Sequence, residues 1–213
     1  ILTDLHLGDC QLTSLPDAIG NLINLETLDV EHNALTSLPD TLWNLRRMKK
    51  LYLNGNQLTE IPDTLGENLL DLEVLHLNDN NLESIPQSFE NLKKLNWLDL
   101  SGNSLTTLPN IFEKMTAMRS KGAKLSINNI STMTSLPDSI RFVKNTLSAF
   151  HNTSMREHAP LLALVDLKYQ RWCDRKPLLL MKPKKGEDST TRGAKSCAAI
   201  YEVLLARLDN QYG

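Results

Sequence analysis

The sequence predicts an α/β solenoid: a curved parallel sheet on the concave face, short helical turns on the other, and an α-helical cap at the C-terminal end. Three observations carry the prediction. A motif of about 23 residues recurs five times with fixed columns, the signature of a stacked repeat architecture. Beyond residue 138 that motif stops and apolar residues adopt helical spacing. The charge also changes hands: residues 1–117 hold 17 acidic and 7 basic residues, whereas residues 118–213 hold 8 and 16. A shift from −10 to +8 marks two segments with different surfaces. The expected division is a repeat solenoid over 1–137 and a helical cap or small helical domain over 138–213.

The copies begin at Leu2, Leu25, Met48, Leu72 and Leu95, in steps of 23, 23, 24 and 23 residues. Within each, two apolar residues flank one variable residue. In a strand this alternation sends the apolar pair to one side and the variable residue to the other. A single copy cannot bury its leucines; stacked copies share one core. A turn column follows each strand and reads Cys10, Asn33, Asn56, Asn80 and Asn103. An asparagine amide there can satisfy backbone groups of neighbouring turns. Pro16, Pro39, Pro62, Pro86 and Pro109 close the copies in register and stop further pairing. The stretch after each proline, such as Asp40–Leu45, is expected to form a short helical turn on the convex side.

The pattern L-x-x-L-x-L-x-x-(N/C)-x-L-x-x-(L/I)-P resembles the leucine-rich repeat family over roughly residues 1–117. The short copies with "LPDxIxNLxNLExLxLxxN" are similar to bacterial repeat proteins, including effectors that intracellular pathogens inject into host cells. They are also similar to Ras-group repeat proteins of plants and animals. The resemblance implies recognition of other proteins and, for the bacterial members, of host signalling or ubiquitin-machinery proteins.

A sixth copy is degenerate. Leu125 and Ile127 form its strand pair, and Leu136-Pro137 closes it, but about four residues are inserted before Leu125 and another before Met133. Irregular terminal copies commonly cap a solenoid. Three apolar stripes at helical spacing follow: Ile140, Val143, Leu147 and Phe150; Leu161, Leu164, Val165, Leu167 and Trp172; and Ile200, Tyr201, Leu204, Leu205 and Leu208. Between the last two lies a polar loop rich in Lys, Gly and Pro.

Composition narrows the class. Aromatic residues make up 5 % of the chain, which favours stacked aliphatic side chains over a core of large rings. Cys10, Cys173 and Cys197 are few and odd in number, which argues against a disulfide framework and fits a reducing, cytosolic compartment, including that of a host cell. No apolar run is long enough for a transmembrane helix. The chain begins at Ile1, inside the pattern and without Met, so it reads as a fragment whose targeting signals lie elsewhere.

Candidate recognition residues follow from the strand alternation. The residue between the strand leucines runs His6, Asp29, Tyr52, His76, Asp99. The residue before them runs Asp4, Thr27, Lys50, Val74, Trp97, and the residue after them Gly8, Glu31, Asn54, Asn78, Ser101. These side chains are expected to point away from the core, so folding does not dictate them. The partner-binding set is Asp4, His6, Asp29, Glu31, Lys50, Tyr52, Asn54, His76, Trp97 and Asp99. Tyr52 and Trp97 are the expected interface anchors. The carboxylates outnumber Lys50, which suits a protein partner with a basic patch.

Other chemistries fit less well. His6 and Asp29 sit on adjacent strands, but His76 is three strands from His6, roughly 14 Å at the usual strand spacing, so a shared metal is not expected. Cys173 in "RWCDRK" invites comparison with the E3 ubiquitin ligases of bacterial pathogens that join such repeats to a catalytic cysteine domain. There one residue separates Cys from Asp, whereas Asp174 follows Cys173 directly, and about 75 residues are too few for that domain. "KPKKGEDSTTRGAKS" lacks the fixed Gly-Lys-Ser/Thr spacing of a phosphate loop. The basic tail carries no nucleic-acid-binding motif. The expectation is protein recognition without catalysis, cofactor, metal or nucleic acid in this chain. Two alternatives stay open: the substrate-recognition part of an E3-like effector, and a purely structural or adhesive solenoid.

Overall fold

The computed structural model describes residues 2–120, 122–127, 132–133 and 137–143, with Arg141 described by its backbone alone. Six short strands form one parallel sheet in sequence order: β1 (Asp4–His6), β2 (Thr27–Asp29), β3 (Lys50–Tyr52), β4 (Val74–His76), β5 (Trp97–Asp99) and β6 (Lys124–Ser126). The register aligns the variable columns across all six, so Asp4, Thr27, Lys50, Val74, Trp97 and Lys124 form one row. The second row is His6, Asp29, Tyr52, His76, Asp99 and Ser126. Leu125 and Ile127 of the degenerate copy are buried, so the inserted residues are accommodated ahead of β6 without loss of the sheet.

The leucines between these rows form a continuous core; Leu28, Leu51, Leu75 and Leu98 are fully buried. The asparagine column ties successive copies together. Asn80 donates to the carbonyls of Leu53 and Leu77 and accepts from the Leu58 amide at 3.0 Å. Asn33, Asn56 and Asn103 make equivalent bonds to the preceding copy and their own strand. Cys10 stands in that column without the amide; its thiol meets the Gly8 carbonyl at 3.2 Å. The residue before this column takes a left-handed φ in every regular copy: Asp9, His32, Gly55, Asp79 and Gly102. Aspartate, histidine and glycine tolerate that conformation, which turns the chain out of the strand.

The convex side is built from one-turn helices. Asp17–Asn21, Asp40–Asn44, Gln87–Asn91 and Asp138–Phe142 are 3-10 turns, each preceded by a proline with φ near −70°. The proline therefore presets the helical turn as well as ending the strand side, and its carbonyl accepts the first turn bond, as from Ile19 to Pro16 at 3.0 Å. The 24-residue step falls at Asp63–Asn68, where the additional residue opens the tight turn into an α-helix, α1. Neighbouring turns approach closely at two glycines. A Cβ at Gly20 would strike the Thr41 carbonyl, and one at Gly66 the Ser88 carbonyl.

The described part of the C-terminal segment is the turn at Asp138–Phe142, which buries Ile140 and Val143. The Ser139 hydroxyl accepts from the Phe112 amide, and its own amide donates to Asn110. The expected helices beyond it, Cys173, Cys197 and the basic loop lie outside the described residues.

Candidate functional site

The two variable rows of the sheet, with the loop position after them, bring the sequence-derived candidates onto one surface. The carboxylates of this surface are held mainly by neutral donors. Asp29 accepts from the Glu31 amide at 3.1 Å and faces His6 Nδ1 at 3.3 Å. Glu31 accepts from Asn54 at 3.1 Å, and Asp99 from the Ser101 amide at 3.0 Å. Asp4 accepts from the Thr3 hydroxyl at 2.8 Å, and hydrogen bonds from Thr27 and Thr3 hold its carboxyl below the usual range.

From β3 to β6 a strip of rings crosses the strands. Tyr52 and His76, opposite each other on β3 and β4, meet edge to face with centroids 5.0 Å apart. His76 meets Trp97 of β5 at 4.7 Å, and the Lys124 ammonium of β6 lies 4.0 Å from the Trp97 ring centroid. The strip thus spans four strands and ends in a cation–π contact. His76 is half-buried within it, and desolvation lowers its pKa below the ordinary 6.5; Asp99 and Glu31 pull the other way, and Lys124 adds to the depression. Its Nε2 has no hydrogen-bond partner among the described residues.

Three features differ from expectation. Asn54 is only 6 % exposed, so packing as well as recognition constrains it. Thr27, which shares the row with Lys50, is buried too. Tyr52 and Trp97 are half-buried, because each leans on its neighbour across the strands. Lys124 and Ser126 are additional members of the rows, supplied by the degenerate copy. The signal for them was present in Leu125 and Ile127: the row positions beside a strand pair follow from alternation once the pair is placed. His6 and Asp29 do touch, but among the described residues no three His, Cys, Asp or Glu side chains are gathered to hold a metal. Among the described residues no helix is long and apolar enough to cross a membrane.

A parallel sheet of stacked three-residue strands, tied by an asparagine column and faced with variable side chains, defines a repeat scaffold that presents a surface. The chain belongs to the leucine rich repeat family, whose model matches residues 2–58, 46–105 and 72–120. A leucine-rich repeat protein of Leptospira interrogans is similar in structure, with 28% identity and a TM-score of 0.55 over 75% of this chain and 47% of that one. A plant peptide hormone receptor, RGFR1, solved in complex with RGF2, has 26% identity and a TM-score of 0.50 over 67% of this chain and 31% of the receptor. The chain thus spans less than half the length of either. No curated protein sequence matches it significantly.

Proposed function

We propose that this chain is a protein-recognition module that binds its partner on the concave sheet face, with the Tyr52–His76–Trp97 strip as the anchor. The observation that carries the reading is the strip itself: three rings from three strands, placed where alternation leaves side-chain identity free of the core. Large rings ordered by their neighbours lose little freedom on binding, which is why such residues dominate interface energetics. Membership of the leucine rich repeat family and the similarity to a receptor solved with RGF2 support the same reading. The four carboxylates of the face favour a partner with a basic patch.

The finer reading is a secreted bacterial effector acting on host proteins in a reducing cytosol, with no catalysis of its own. Its supports are the resemblance of the short repeat phrase to such effectors and the similarity to a bacterial structure. The test compares capture of proteins from host-cell lysate by the full chain and by Tyr52→Ala/Trp97→Ala. The double variant is expected to lose partners that the parent retains, with circular dichroism unchanged. Equal capture by both overturns the concave-face reading.

A further inference from the structure

We propose that Asp29, Glu31 and Asn54, beside the Tyr52 ring, form a subsite for an arginine side chain of the bound partner. The proposal rests on the protein-recognition reading for what delivers the arginine, but its chemistry is carried by separate observations.

The first is how the carboxylates of this face are held. On the concave face, among the described residues, no lysine or arginine lies within salt-bridge distance of Asp4, Asp29, Glu31 or Asp99. Backbone amides, hydroxyls and an asparagine amide hold these four instead, apart from the His6 contact. Neutral donors fix a carboxylate's direction without cancelling its charge, so the acceptors are oriented in advance for an incoming cation.

The second observation is a buried acceptor without a donor. Asn54 is 6 % exposed; its Nδ2 grips Glu31, and its Oδ1 has no hydrogen-bond partner among the described residues. Such an orphan acceptor is costly unless an ordered water or a ligand supplies the missing donor, and an incoming guanidinium can take the place of that water. The third is register. Asp29 and Tyr52 are directly opposite on β2 and β3, about one strand separation apart, and Glu31 and Asn54, bonded to each other, follow them two residues on in the same two copies. A guanidinium has planar N–H donors for several acceptors and a face that stacks on an aromatic ring, whereas an ammonium is a compact point charge. The set therefore selects arginine over lysine.

The test is an NMR titration of the isotope-labelled full chain with N-acetyl-arginine methylamide, its lysine counterpart and its uncharged citrulline counterpart. The arginine probe is expected to shift the backbone amides of Asp29, Glu31, Tyr52 and Asn54 saturably. The lysine probe should bind about threefold more weakly, and citrulline about tenfold more weakly. Asp29→Asn/Glu31→Gln should weaken the arginine response about tenfold, while Glu67→Gln, on the exposed side of α1, leaves it unchanged. Signals away from β2 and β3 report that each variant is folded. A response equal for arginine and citrulline, or undiminished in Asp29→Asn/Glu31→Gln, overturns the subsite. A saturable arginine response alongside unimpaired protein capture by Tyr52→Ala/Trp97→Ala keeps the subsite and removes the anchor reading. Lost capture without an arginine response does the reverse.

Discussion

His76 is the residue where packing and charge meet most directly. Its ring is wedged between Tyr52 and Trp97, and burial makes protonation unfavourable there. The unfolded chain takes up the proton near the ordinary 6.5, while the folded chain does so only at lower pH. The unfolded state therefore binds more protons in that window, and stability falls as pH drops below 6.5 toward the depressed folded value. Above 6.5 the contribution is fully present. Urea midpoints at pH 7.5 and 5.5 should show a drop in the parent that is smaller in His76→Phe, which keeps an aromatic ring without the titration. An equal drop in both would place the acid sensitivity elsewhere. The membership of this surface was legible in the sequence, because alternation decides which side of a strand a residue faces. The ring strip was not, because it runs diagonally: Trp97 belongs to a different row from Tyr52 and His76. Nor was the burial of Asn54, which depends on a contact with Glu31 from the preceding copy.

Among the elements, strands and convex turns differ in how far sequence determines them. Each strand is three residues long and draws its place from the leucine at its centre, buried in β2 to β6, so its position could be read directly. The type of convex turn could not, since 3-10 and α turns share an apolar pattern over five or six residues and differ by one residue of length. The left-handed column before the asparagines was written in plain view as Asp, His, Gly, Asp, Gly, but a single copy gives no reason to single it out. Close stacking of the convex turns makes Gly66 a sharp test. Inside a helix, Gly→Ala normally stabilises by about 0.5–1 kcal/mol. Here the new methyl would meet the Ser88 backbone carbonyl, which cannot rotate away as a side chain would. Gly66→Ala should therefore destabilise by about 1–3 kcal/mol, the range for overpacked sites. Glu67→Ala, on the exposed side of the same helix, should change stability by less than about 0.5 kcal/mol. Denaturant midpoints for the two variants decide it; a stabilised Gly66→Ala would mean that the turns separate readily.

For the described solenoid as a whole, each copy is tied to its immediate neighbours, through strand register, the asparagine bonds to the preceding copy and contacts between adjacent convex turns. Stability in such a stack is close to a sum of copies and nearest-neighbour interfaces, so damage at one end frays that end first. The segment from Pro137 to Val143 covers the fifth copy: Ile140 and Val143 are buried, and Ser139 bridges the Phe112 amide and the Asn110 side chain. Burying an isoleucine or valine is worth about 1.5–3 kcal/mol, and each bond lost with a buried partner left behind costs about 1–3 kcal/mol. A chain ending at residue 136 should therefore be less stable than one ending at residue 143 by about 3 kcal/mol or more, on those same burial values. The loss should also be graded along the stack. Native-state hydrogen exchange should show lowered protection in β5 and β6, with β2 and β3 near their parent values. A uniform loss of protection across all six strands would mean that the copies unfold as one cooperative unit, and that the terminal segment stabilises the concave face from end to end.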